Sequence, residues 1–273
     1  MSLDDVPGAR RVQALARRDG AVRAVGDWVA DEVPVALQYN GVSHAVMLCT
    51  PLDLEDFAVG FSLSEGLVDG AADVFGVEAA EAAEGWVLDL EIASRCMVRL
   101  KERRRTMAGR TGCGLCGTDS LATALPGVGG GVAQPARFDA AAVARGLRQL
   151  KEHQSLARAT GATHAAGWCR ADGRIDLVRE DVGRHNALDK LVGALARQAL
   201  PAAEGFVVVT SRASYEMVQK TARAGVSLMA AISAPTALAV HTADDAGLTL
   251  LGFARGDDWV AYSHAERLIF PAP

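Results

Sequence analysis

Aromatic residues make up only 5% of this 273-residue chain, and basic residues are not in excess: 28 Lys and Arg stand against 33 Asp and Glu, a net charge of -5. A chain with that balance has no global field to attract nucleic acid, and few rings on which bases could stack. Any anion must be held by local cations. No apolar run approaches the roughly 18 residues that a membrane span requires. Residues 1–20 mix arginines with acids and lack the apolar stretch of a secretory signal, so a cytoplasmic location is expected. Cysteine is scarce and odd in number, five in all, which does not describe a disulfide framework. Cys49 and Cys169 sit in apolar surroundings and read as small buried hydrophobes; Cys96, after Arg95 in a strand-like run, reads as structural.

What is present is a mixed α/β pattern in three stretches. Residues 1–100 read as a small α+β domain. Val33–Tyr39 and His44–Leu48 flank Asn40-Gly41, a strong hairpin signal, and a helix is expected from Leu52 to Glu65, with Gly66 as its stop. Trp86 to Leu100 reads as strand pairs. Residues 101–137 carry a basic run, two cysteines and Gly129-Gly-Gly131, the composition of a mobile connection. Residues 138–273 alternate strands with helices, which predicts a sheet covered on both faces.

The sharpest local feature is Thr111-Gly-Cys-Gly-Leu-Cys-Gly117. Its glycines remove side-chain bulk around both sulfurs. Lys101, Arg103, Arg104, Arg105 and Arg110 lie upstream, and nearby cations favour thiolate over thiol. Cys113 is therefore a candidate sulfur carrier, with Cys116 beside it. One CxxC supplies only half of a zinc site, and the nearest downstream histidine in a suitable context is His164, so a zinc-dependent hydrolase with Cys113, Cys116 and His164 as ligands stays open as an alternative. A thioredoxin-like dithiol fits less well, because the glycines oppose a helix after the first cysteine.

Three further clusters fall between predicted strands and helices or strands. Arg179-Glu-Asp-Val-Gly-Arg-His-Asn-Ala-Leu-Asp-Lys190 and Thr210-Ser-Arg-Ala-Ser-Tyr-Glu-Met217 place Arg184, His185, Asn186 and Arg212 where α/β proteins bind anionic ligands. The plainer account of the first is a set of caps and salt bridges, with Asp189 and Lys190 solvated. Phe253-Ala-Arg-Gly-Asp-Asp258 is a hairpin turn by its glycine and aspartates, or a guanine site in which a carboxylate accepts from the base and Phe253 or Arg255 stacks.

Together with Tyr39-Asn-Gly41 and Phe57-Ala-Val-Gly-Phe-Ser-Leu-Ser-Glu-Gly66, these motifs resemble the formate dehydrogenase accessory sulfurtransferases of the FdhD type, in order and over nearly the whole chain. The resemblance implies a cytidine deaminase-like α/β sandwich joined to the smaller N-terminal domain. It implies a sulfurtransferase: sulfur taken from a cysteine desulfurase onto Cys113, with Cys116 as the second family cysteine, and passed to the molybdenum cofactor of the formate dehydrogenase catalytic subunit. That cofactor, in its bis(molybdopterin guanine dinucleotide) form, is the bound recipient; a tightly bound metal of the protein's own is not expected. The guanine dinucleotide contact maps onto Phe253, Ala254, Arg255, Gly256, Asp257 and Asp258, and a homodimer is expected. Deaminase chemistry is not, since Thr163-His-Ala-Ala-Gly167 has alanine where a catalytic glutamate would stand. A non-catalytic cofactor-binding chaperone is the other open reading.

Overall fold

A computed structural model of the chain describes residues 6–107, 132 and 135–270, with the backbone alone for 102–107. Cys113 and Cys116, and the expected mobility of their loop, lie outside the described residues.

Two strands open the chain, β1 (Ala9–Arg18) and β2 (Ala21–Ala30), which pair only with each other across Asp19-Gly20. Next come β3 (Val33–Tyr39) and β4 (Val42–Cys49), the hairpin that Asn40-Gly41 predicts, with both turn residues at positive φ. Helix α1 (Leu54–Ser64) follows, then β5 (Val74–Ala82) and β6 (Gly85–Ile92). They complete a four-stranded sheet of order β4-β3-β6-β5. Its inner face packs Val35, Leu37, Tyr39, Leu88 and Leu90 against Phe57 and Phe61 of α1. Here the expectation of strand pairs over Trp86–Leu100 is corrected. Strand β6 stops at Ile92, and Ser94–Met107 is helix α2. Cys96 and Leu100, four residues apart, are both fully buried, whereas Val98 between them is 59% exposed; a strand would put all three on one face.

The second half is a three-layer α/β unit. Its central sheet has six strands in the order β13-β12-β11-β10-β8-β9: β8 (His164–Arg170), β9 (Ile175–Asp181), β10 (Gly205–Val209), β11 (Leu228–Ala231), β12 (Thr249–Arg255) and β13 (Asp258–Ser263). The first strand of this half, β7 (Phe138–Asp139), pairs outside the sheet with β14 (Leu268–Ile269). Helix α3 (Ala140–His153), capped by the Asp139 side chain, covers one face, where Phe206, Val208, Leu228, Ala230 and Leu251 point. The short α4 (Ser155–Thr160) follows a break at Gln154. Helices α5 (Arg184–Arg197), α6 (Tyr215–Arg223) and α7 (Ala237–Ala246) cover the other face over Val207, Val209, Met229 and Leu250. Strands β10, β11 and β12 run parallel, and β8 is antiparallel to both β9 and β10. The C-terminal ends of β9, β10, β11 and β12 therefore meet at one edge.

The two halves meet where α1 crosses α5. A Cβ on Gly60 would stand 1.7 Å from the Asp189 carbonyl oxygen, and one on Gly193 would stand 1.8 Å from that of Asp56. Only glycine lets the two backbones come this close. Charged side chains flank the contact. Lys190 and Asp181, both fully buried, pair at 2.7 Å. Lys220 reaches Asp189 at 3.0 Å and Glu65 and Ser64 at 2.8 Å. Asp189 and Lys190 are thus interior residues, which corrects their reading as solvated.

Candidate functional site at the sheet edge

Most of the sequence-predicted residues within the described part lie along this C-terminal edge, but Asn186 does not: it is buried and its amide donates to Leu48 O and Asp181 Oδ1, so its reading as a ligand contact is corrected. Strand β9 ends at Asp181, whose carboxylate accepts from Gly183 N at 2.8 Å and fixes the turn into α5. Arg184 is the first residue of that helix. Arg212 follows β10 and is exposed. The loops after β10 and β11 are tied together: Ala213 bridges Pro235, Thr236 N donates to Ala213 O at 3.0 Å, and Phe253 N donates to Ser233 O at 3.2 Å. Phe253 and its neighbours thus join the same row of loops. Between Arg184 and Phe253 the edge runs from β9 to β12, four strand spacings or roughly 19 Å. The residues line a rim long enough for an extended ligand; they do not crowd around one point.

Phe253 is the strained member. Its φ is +52°, in the left-handed region, at a register irregularity between Gly252 and Arg255, and it remains 47% exposed. A bulky residue in that conformation costs about 1–3 kcal/mol and persists only when its surroundings impose it. Here Gly252 imposes it: a Cβ there would meet Pro235 at 2.7 Å and Tyr262 at 2.9 Å, so the chain must pass close to the β11 loop and then turn sharply. The result is an aromatic ring facing solvent at the rim. Ala254 returns to the core, fully buried, and Gly256, at φ +59°, makes the turn into β13. Arg255 and Asp258 face each other across that turn. Asp257 is taken up by Arg148 of α3, at 2.8 Å, but both side chains are at least half exposed. A surface pair of this kind is worth about 0–1 kcal/mol and yields easily to a ligand.

At the other end of the rim, polar atoms converge without saturating each other. His185 Nε2 lies 2.7 Å from Glu216 Oε2, close in distance but poorly aligned for a hydrogen bond. That contact, set against partial burial, holds Glu216 below the usual glutamate range. Burial first, then the charges of Arg184 and His185, push His164 below the usual histidine value. Arg184 Nε and Ser214 Oγ are buried with no hydrogen-bond partner among the described residues. Buried donors left without partners are uncommon in folded proteins and call for a ligand or water. The starts of α5 and α6 add their free backbone N–H groups. This end offers positive charge and unpartnered donors of the kind an anion can accept from.

Sequence reasoning picked out Arg184, His185 and Arg212 but gave Glu216 no role. The signal was weak: Glu216 lies in the first turn of α6, and only the sheet topology brings that turn beside α5. Among the described residues, the potential metal ligands that come within reach of one another are Asp69, Asp73 and Cys96. Arg99 and Arg95 already occupy the two carboxylates, so this group reads as an ion-pair cluster. His164 has cationic neighbours, an unfavourable setting for another cation.

The chain thus belongs to the class of three-layer α/β proteins with cations and a strained, exposed aromatic residue along the strand ends, and it carries a two-cysteine segment as well. Comparison with known proteins sharpens this. A sequence profile of the FdhD/NarQ family matches residues 30–269. The sulfur carrier protein FdhD of Variovorax paradoxus is 58% identical over 98% of both chains. That of Bordetella parapertussis is 55% identical over 97% of this chain and 96% of its own. The chain belongs to the FdhD/NarQ family. A crystal structure of a proposed formate dehydrogenase accessory protein from Desulfotalea psychrophila shares the fold, with a TM-score of 0.75 over 96% of this chain and all of its own, at 22% identity.

Proposed function

We propose that this protein is a sulfur carrier that supplies the molybdenum cofactor of formate dehydrogenase. The observation that carries the reading is the extent of its likeness to proteins named sulfur carriers, 54–58% identity along almost the entire chain. The two-cysteine segment supplies the chemistry. In the first step the Cys113 thiolate attacks the terminal sulfur of a persulfide on a cysteine desulfurase. One S–S bond forms, the donor's S–S bond breaks, and the donor cysteine leaves as thiolate. Upstream arginines favour the attacking thiolate. The terminal sulfur then passes to the cofactor as sulfide: the Cys116 thiolate attacks Cys113 Sγ, the S–S bond of the Cys113 persulfide breaks, and a Cys113–Cys116 disulfide forms, so that the dithiol supplies the two electrons.

The recipient cofactor is a substrate with two guanine dinucleotide arms, and the rim suits one arm. Arg184, Arg212 and the starts of α5 and α6 favour its diphosphate. Phe253 offers a stacking face, and Asp257 or Asp258 can accept from guanine N1 and N2.

The decisive experiment is mass spectrometry after incubation with a cysteine desulfurase and cysteine. A gain of about 32 Da, one sulfur atom, is expected on a peptide containing Cys113. An undiminished adduct in Cys113→Ala overturns the assignment. If the wild type took up no sulfur and Cys113→Ala still activated formate dehydrogenase, the protein would be a cofactor-binding chaperone.

A further inference from the structure

A carboxylate stands at the end of the rim that offers positive charge. Glu216 Oε2 lies 2.7 Å from Nε2 of His185, the neighbour of Arg184. The acids of β9 and α5 are engaged elsewhere: Asp181 pairs with Lys190, Asp189 with Lys220, and Glu180 accepts from Leu156 N, Ala157 N and the Thr163 hydroxyl. Glu216 has His185 as its one ion-pair partner among the described residues, poorly aligned, and its side chain is 42% exposed. The His185 contact outweighs partial burial and keeps the Glu216 pKa below the usual glutamate range, so the group is ionised at neutral pH. An acid in the first turn of a helix is favoured by the helix dipole, which accounts for a glutamate here that faces solvent. It does not account for one turned across to the first turn of α5, where Arg184 Nε is buried and has no partner among the described residues.

Its place along the edge decides what this carboxylate would meet. Strands β11, β10 and β8 lie between β12 and β9. A guanine held at residues 253–258 sends its phosphates past Arg212, which follows β10, towards Arg184, which follows β9. The His185–Glu216 contact joins those two loops, so whatever is attached to the second phosphate arrives at it. In a guanine dinucleotide that is a neutral organic group in ester linkage, and each phosphate carries one charge. In free GTP it is a third phosphate, whose second proton leaves near pH 6, so that it carries close to two. Arg184 and Arg212 by themselves would favour the triphosphate, the more negative of the two.

We propose that Glu216 is a specificity-determining residue, whose carboxylate repels the terminal phosphate of free GTP and so leaves the rim to guanine dinucleotides. The inference rests on the reading of the rim as the site of a guanine dinucleotide arm. A rim lined with arginine attracts any guanine nucleotide, and the free triphosphate is the competitor that shares both the base and the first two phosphates. Contacts to those shared groups cannot tell the two ligands apart. A like charge placed where only the competitor is charged can, and it costs the dinucleotide little.

Calorimetric titration of the full chain with GDP-mannose and with GTP, in buffer free of divalent metal ions, tests it. GDP-mannose is a guanosine diphosphate ester that ends in a neutral sugar. The wild type should bind it about tenfold more tightly than GTP, the scale of one like-charge contact weakened by partial exposure. In Glu216→Gln the preference should vanish or reverse, chiefly through tighter binding of GTP, whereas Glu216→Asp should keep most of it. A glutamate that served the helix alone would leave the ratio of the two affinities where it was. A wild type that binds GTP as tightly as GDP-mannose overturns the proposal, and so does a ratio unchanged in Glu216→Gln; both results leave the guanine site standing. Binding of neither nucleotide to the wild type removes that site and this inference with it. Should Glu216→Gln fail to fold, the wild-type preference alone decides.

Discussion

Two polar clusters flank helix α5, and they differ in one respect. At the seam with α1, every charge is answered. Lys190 has Asp181 and the Thr50 carbonyl; Lys220 has Asp189, Glu65 and Ser64; Arg179 and Arg197 share Asp56. Burial pulls the Lys220 pKa down, but the two carboxylates more than offset this and raise it. At the helix start, Arg184 Nε and Ser214 Oγ have no partner among the described residues, and Arg212 is exposed. The number of charges does not separate the two clusters, and the seam is the richer in them. Saturation does. A closed network specifies how elements pack, whereas an open one leaves donors for something else.

The largest expected effect breaks the closed cluster. Asp181→Ala leaves a fully buried lysine with one carbonyl, and loss of one partner of a buried pair costs about 3–5 kcal/mol. Asp181→Asn with Lys190→Met keeps the acceptor for Gly183 N and removes the orphan charge, so most of the loss should be recovered. Urea unfolding of both variants measures this. If Asp181→Ala unfolds at the wild-type midpoint, the seam does not hold the two halves.

The open cluster should respond in the opposite way. Arg184→Ala and Arg212→Ala should each weaken GDP binding by about 1.5–3 kcal/mol, the scale of a hydrogen bond to a charged group. For exposed Arg212 the unfolding midpoint should hardly move, within about 0.5 kcal/mol. Calorimetric titration beside urea unfolding gives both numbers. Loss of stability without loss of binding would make the rim another structural cluster.

A finer test divides the rim itself. Guanine presents two donors on its Watson–Crick edge where adenine presents an acceptor at N1. A carboxylate at Asp257 or Asp258 should therefore favour GDP over ADP by about 1–3 kcal/mol, by analogy with bidentate base readout. The preference should fall in Asp257→Ala or Asp258→Ala while diphosphate affinity stays. Equal affinity for both nucleotides in the wild type removes the guanine assignment and leaves the sulfur carrier standing.

Much of this could be read from the residues. The strand–helix alternation after residue 138 gave the six-stranded sheet and its two covers, because buried parallel strands such as Phe206–Val209 are unbroken apolar runs. Arg184, Arg212 and Phe253 were legible as rim residues because loops after parallel strands meet at one edge. Other features were missed for local reasons. The Asp19-Gly20 turn announces the first hairpin, but the flanking strands carry arginine on both faces and lack the alternation of a half-buried strand. In α2 the run of arginines hid the buried spacing of Cys96 and Leu100. Asp189 and Lys190 look like surface charges, since their partners at Lys220 and Asp181 lie 31 and 9 positions away. Such pairings are decided by the crossing of α1 and α5, which the glycines at 60 and 193 permit but do not announce.

The smallest effect concerns pH, and it too separates the two clusters. His164 opens β8, half-buried beside the rim, and burial together with Arg184 and His185 lowers its pKa below the usual value near 6.5. The unfolded chain then binds this proton more readily than the folded one. Stability should rise with pH between the folded and unfolded values and be complete above about 6.5, so it is lost as the medium is acidified through that window. His164→Gln should flatten the slope of unfolding free energy against pH below 6.5 without changing stability much at pH 8. A ligand anion at the rim should have a similar effect in the intact protein, because negative charge near Arg184 and His185 offsets the field that depresses His164. Nuclear magnetic resonance titration of the His164 ring with and without GDP reads this directly. A pKa that rises on addition of GDP places the diphosphate at this end of the rim; one that stays fixed places it elsewhere along the edge.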